Sequence, residues 1–229
     1  TLHTVSGSYD IFKRFAKTFD QTYTRFLDLQ KAEAQAREVQ IQLALERVRA
    51  RTMAMQKQND LFDVVNVFGE QLIMLGLKVD YVSIMYGKIS KSRDWNLWGC
   101  VPGLEYSSQN NLIPYKKTAY FTRTAENIVA FERTGNPIQV KTFTKKEKDD
   151  FLDHYFSFAE PLPDDFKKHL YDAPGSGIVD AFLNEVTVSI CRYDIGTYTE
   201  VELDIFKRFS NEFRQSYIRF LDLQKAEAQ

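Results

Sequence analysis

Cysteine, histidine and proline are scarce in this chain, and each shortage closes off a class of function. Two cysteines among 229 residues, Cys100 and Cys191, cannot build the disulfide framework of a small secreted domain. A reducing compartment, the cytoplasm, is the simpler expectation. Three histidines without a Cys-x-x-Cys or His-x-x-x-His spacing do not supply a zinc site. No apolar run approaches the ~20 residues of a membrane span, and the first residues carry no signal-like apolar core. An excess of one charge is missing too. With 30 Lys and Arg against 31 Asp and Glu the net charge is −1, so nothing general draws the chain to nucleic acid or an anionic membrane. G-x-S-x-G, the P-loop and H-E-x-x-H are all absent, and a small-molecule enzyme is the least favoured reading.

Glycine and proline are both missing between Gly7 and Gly69, a stretch rich in Ala, Glu, Gln, Arg, Lys and Leu. That composition predicts one helix over Tyr9–Gln56, ~70 Å long at ~1.5 Å per residue. Its apolar residues form two seams. Phe12, Phe15, Phe19, Phe26 and Leu29 follow one alternation of three and four. Ile41, Leu45, Val48 and Met55 follow another, shifted in phase by a stutter-like step. The expectation is a dimeric coiled coil, with a homodimer formed through these long helices. A weak, Ala-rich centre (KAEAQAREVQ) suits it to pass on a rotation, or to act as a plain spacer.

The chain also repeats itself. Asp10–Gln35 and Asp204–Gln229 differ at only six of 26 positions and are offset by 194 residues. A repeat at both ends points to one unit cut from a tandem array. Residues 1–58 are then the incoming signalling helix, 59–203 the folded domain, and 204–229 the closing helix.

Within the domain, Leu61–Leu77 has helical spacing, with Gly76 as its stop. Lys78–Ile89 and Trp95–Val101 read as strands, and Leu104–Pro114 as loop. Tyr120–Arg133 reads as a helix ended by Gly135-Asn136-Pro137, and Ile138–Phe143 as a strand. Thr144–Glu147 is a capping box opening a helix to about Phe158. Phe166–Tyr171 reads as a short helix and Pro174–Gly177 as loop. Ile178–Phe182 and Val186–Tyr193 are strands about a turn at Leu183–Glu185. Thr199–Glu202 is a second capping box. This order predicts an α+β fold, an antiparallel sheet with helices packed on it. The lysines at 116, 117, 145, 146 and 148 read as solvated faces.

Arg25–Gln56 (RFLDLQKAEAQAREVQIQLALERVRARTMAMQ) resembles a linker of bacterial sensor proteins, especially from the Bacteroidetes, that joins tandem GAF-like domains and leads toward histidine-kinase modules. NDLFDVVNVFGEQLIMLGL and DIFKRFSNEFRQSYIRFLDLQKAEAQ resemble the start and end of one such unit. The resemblance implies a GAF-like sheet with a pocket on one side, in a non-catalytic sensory or regulatory unit of a two-component protein. Adjacent sensor or kinase domains would be its neighbours. It names no cofactor and no ligand. No kinase motif is present in the chain itself.

Candidate ligand-binding residues are Trp98, Cys100, Tyr106, Tyr115, Tyr120, Arg123 and His154. They are aromatic and polar groups on or near the second strand and the helices beyond, where a small molecule would be held. Packing within a core or lid is the competing role for the aromatics. A dimerising spacer with a vestigial pocket is the competing role for the unit. Cys191, beside Ile190 on a strand, reads as buried packing.

Overall fold

The computed structural model describes residues 2–57, 60–86, 93–104, 107–159, 162–183 and 186–227. The chain divides into two compact units, Thr1–Leu43 and Ala44–Gln229. The first unit is the leading part of helix α1 (Leu2–Met53). No described helix is long and apolar enough to cross a membrane.

The α1 helix stops three residues before the expected Gln56. The Asp60 carboxylate accepts the backbone N–H groups of Gln56 and Lys57 at 2.8 and 3.1 Å, which turns the chain out of the helix. These two hydrogen bonds also lower the Asp60 pKa. Helix α2 (Leu61–Met74) follows, and Gly76 takes the expected left-handed conformation at φ +87°.

Six strands then form one antiparallel sheet: β1 (Tyr81–Tyr86), β2 (Trp95–Cys100), β3 (Ser107–Ile113), β4 (Ile138–Thr144), β5 (Gly175–Phe182) and β6 (Val186–Arg192), in the order β3-β2-β1-β6-β5-β4. Helices α3 (Ala119–Thr134), α4 (Lys145–Tyr155), α5 (Asp164–Asp172) and α6 (Glu200–Glu227) complete the fold. An antiparallel sheet with helices packed on it and a long helix at each end is thus the architecture the sequence implied.

Two segments differ from expectation. Residues 107–113, expected as loop, form β3. Their polar sequence hides the strand, yet polarity suits an edge strand that pairs only with β2. Gly175–Gly177, also expected as loop, opens β5 and pairs with Thr144–Thr142. A Cβ on Gly175 would lie 2.6 Å from the Phe143 carbonyl oxygen, and one on Gly177 2.8 Å from that of Gly196. The glycines therefore mark close backbone approach within a strand.

Strand alternation sorts the sheet into two faces. Val82 and Ile84 point to one face, with Trp98 and Cys100 beside them in register. Phe68 of α2 meets Phe206 and Phe209 of α6 edge to face, with ring centroids 6.2 and 5.6 Å apart. Phe206, Phe209 and Phe213 are fully buried, each contributing roughly 1.5–3 kcal/mol by burial alone. Arg49 near the end of α1 grips Glu212 of α6 with two bonds, Nε–Oε1 at 2.6 Å and Nη2–Oε2 at 2.8 Å. Both capping boxes form: Thr144 with Glu147 and Thr199 with Glu202.

The opposite face carries α3, α4 and α5. Lys148 of α4, expected in solvent, is fully buried. Its Nζ donates to Leu170 O at 2.5 Å and contacts the Asp149 carboxylate. Lys145 donates to Tyr171 O at 2.5 Å. The two lysines thus satisfy carbonyls in the last turn of α5 and clasp it to α4. Asp164 and Asp165 sit in the first turn of α5, where they complement its dipole.

Candidate functional site

Between the sheet and helices α3–α5 lies a cavity with about 80 Å³ of free space for the centres of water-sized molecules. Its floor comes from alternate residues of five neighbouring strands, β2, β1, β6, β5 and β4, with Met85, Leu97, Ile178 and Cys191 among the apolar ones. Its roof comes from Tyr120, Phe151, Leu152, Tyr155 and Leu170.

At one end sits a buried charge pair. Lys141 Nζ is 2.6 Å from Asp180 Oδ2, with side-chain exposures of 6% and 3%. The two residues are diagonal neighbours on β4 and β5. Lys141 also donates to Thr124 Oγ1 of α3 at 2.6 Å. Ser189 stands opposite Asp180 on β6 and donates to its Oδ1 at 2.8 Å. Asp180 Oδ2 is the oxygen paired with the Lys141 ammonium, so each carboxylate oxygen of Asp180 faces a donor group.

The walls are aromatic. Tyr120 is sandwiched between Phe143 and Phe151, at centroid distances of 3.8 and 4.1 Å. Its hydroxyl lies 2.5 Å from Ser176 Oγ. Trp95 stacks on Phe121 at 4.0 Å. The hydroxyls of Tyr81 and Tyr155 are 3.0 Å apart. Burial pushes the phenols of Tyr120 and Tyr193 well above the usual value of 10. They are therefore neutral hydrogen-bonding groups near neutral pH.

Of the residues the sequence put forward, Tyr120 lines the cavity. Trp98 and Cys100 lie on the other face, because they pair with Ile84 and Val82 and alternate with Leu97, which lines the cavity. Tyr106 falls outside the described residues. Tyr115 lies in a shallow surface depression with Phe121 and Val129, under the Arg93 guanidinium at 5.5 Å. Arg123 is held by Glu147 at 2.6 Å, by the Thr142 carbonyl, and over the Phe143 ring. His154 Nε2 bonds Pro114 O at 2.7 Å. These last three stand outside the cavity wall.

Lys141, Asp180, Ser189, Tyr81 and Tyr155 were missed. The signal was there: Asp180 is a lone charge within the apolar strand GSGIVDAF, and Lys141 shares the strand parity of buried Phe143.

Cys191, expected as buried packing, is buried and also borders the cavity. Burial raises its thiol pKa, and burial with the nearby charge of Glu70 pushes Cys100 up to about 12. Neither is a thiolate at neutral pH, so neither is a nucleophile. Among the described residues no group of three His, Cys, Asp or Glu is placed to hold a metal ion.

No protein family and no curated protein matches the sequence. Solved structures resemble it in fold alone. One is the phycoerythrobilin-bound GAF domain of a cyanobacterial phytochrome, at 12% identity and a TM-score of 0.47, spanning 81% of this chain and 97% of that one. Another is the GAF domain of Acinetobacter phosphoenolpyruvate-protein phosphotransferase, at 9% identity and a TM-score of 0.46, spanning 77% and 91%. A third is the GAF domain of the cyanobacteriochrome TePixJ, at 11% identity and a TM-score of 0.39, spanning 74% and 94%.

Proposed function

We propose that the chain is a GAF-like, non-catalytic sensory domain that holds a small molecule in this cavity and relays its occupancy through α6. The observation that carries the reading is the buried Lys141–Asp180 pair facing an otherwise apolar, aromatic space. Such a pair contributes little net stability compared with apolar residues of the same size. As a recognition group it supplies both an acceptor and a donor. The matching ligand is compact and flat, with a donor beside an acceptor at one edge. At about 80 Å³ the space suits a molecule far smaller than a linear tetrapyrrole.

The relay is short. Cys191 and Tyr193 border the cavity, and α6 begins at Glu200. Between them Asp80 accepts the Tyr193 N–H at 2.7 Å, Arg192 pairs with Asp194 at 2.7 Å, and Tyr198 donates to Lys78 O at 3.0 Å. This bracing couples the cavity wall to the start of α6. A ligand moves α6 only by the difference in its affinity for two positions of that wall. The wider setting we propose, on the linker resemblance, is a bacterial two-component sensor with neighbouring sensor or kinase domains. The small free volume favours a second reading, a spacer whose pocket is closed.

A thermal-shift screen of compact aromatic and heterocyclic metabolites decides between them. The sensor reading expects a compound that raises the Tm of the wild type and not of a Lys141→Met, Asp180→Leu double variant. A hit that stabilises both equally, or no hit from a broad library, supports the spacer.

A further inference from the structure

The two copies of the terminal repeat sit in opposite surroundings. In α6, Ile205, Phe206, Phe209, Phe213, Tyr217 and Phe220 are each 6% exposed or less. The same residue types 194 positions earlier are Ile11, Phe12, Phe15, Phe19, Tyr23 and Phe26, and they are 51–72% exposed. All six are identical between the copies. Of the six positions that differ, two are buried in α6, Ser210 and Ser216, and they become Ala16 and Thr22, still small. The other four, Asn211, Glu212, Arg214 and Ile218, are exposed or half-buried.

A segment that keeps every large buried residue of α6 carries the shape of the groove that α6 fills. A row of exposed aromatics on a helix calls for a partner, and a known groove for that row exists: the face of α2 and the sheet, marked by Phe68 against Phe206 and Phe209. Leu45 and Val48, expected as part of a second coiled-coil seam, are already buried within one chain.

We infer that the face Ile11–Phe15–Phe19–Tyr23–Phe26 of α1 is a docking surface for the α6 groove of another domain of this same kind. Residues 10–35 are then the closing helix of that other domain, and the Phe seam is a domain-packing face. One interaction does not carry over. Glu212, the partner of Arg49, is matched by Thr18, so the docked copy binds without that ion pair.

The groove of this chain is the probe. A synthetic peptide of residues 9–35 is added to the full chain carrying Phe209→Ala and Phe213→Ala, which weakens the hold of its own α6. The peptide is expected to raise the Tm and slow amide exchange in α2. A control peptide with Phe12, Phe15 and Phe19 changed to Ser is expected to do neither. On the unmodified chain, excess peptide should speed exchange of α6 amides by competing for the groove, and the control should not. This second measurement decides the matter if the variant does not fold. Equal behaviour of peptide and control overturns the inference. So does a wild-type dimer that Phe15→Ser abolishes while the peptide leaves α6 exchange unchanged, which would assign the face to a coiled coil of two α1 helices.

Discussion

At the scale of single residues, the cavity is defined by a charge pair that the fold tolerates only as a pair. Removing one member of a buried pair strands the other and costs about 3–5 kcal/mol, whereas replacing both with apolar groups is often neutral. Lys141→Met alone is therefore expected to destabilise by that amount in urea unfolding, and the addition of Asp180→Leu to restore most of it. Equal losses for the single and double variants would show the pair is not coupled. Gly99 sets the position of a wall. A Cβ there would run into the Tyr81 ring and hydroxyl, so Gly99→Ala should break the Tyr81–Tyr155 hydroxyl contact and lower affinity for any cavity ligand in a titration. The thiols give a third test. Cys100 is fully buried and Cys191 nearly so, both with raised pKa values. Both should resist a maleimide or disulfide reagent at pH 7.5 in the native protein and react at once in denaturant.

At the scale of elements, hydrogen bonds at helix ends decide where segments begin and stop. Thr144 and Thr199 could be read from sequence because each capping box is local, with both partners three residues apart. Gly76 and Gly135 were readable for the same reason, as positive-φ stops. Strand β3 and the start of β5 were not, because their pairing depends on β2 and β4, which lie elsewhere in the sequence. The site follows the same division. Tyr120 stood out by type and place, while Lys141 and Asp180 gain their meaning only when β4 and β5 set them diagonally on one face. The α4 cap also gives a pH dependence. Hydrogen bonds from the Thr144 backbone and hydroxyl, with Arg123 nearby, hold the Glu147 pKa below its ordinary 4.5. A depressed carboxylate contributes stability that is present above about pH 4.5 and is lost as pH falls through its lower folded value. Glu147→Gln should therefore flatten the acid limb of the stability–pH curve while keeping the neutral hydrogen bonds of the capping box. An unchanged acid limb would remove Glu147 from that role.

At the scale of the whole molecule, one sheet serves two purposes. The face toward α2 and α6 is dense with Phe68, Phe206, Phe209 and Phe213 and shares its closing helix sequence with the start of the chain. The face toward α3–α5 keeps a cavity with a polar end. Strands β1 and β6 form both faces, so a change at Ser189 or Cys191 lies one residue from Ile190 on the α6 side. Between the cavity and α6 run the β6 strand itself and the braced segment Tyr193–Thr199 that follows it. The most direct measurement is amide hydrogen exchange across the full chain with and without a stabilising small molecule. The account predicts slowed exchange in β4–β6, together with altered exchange in residues 193–206 at the start of α6. Protection confined to any other surface, with the cavity strands and α6 unchanged, would contradict it.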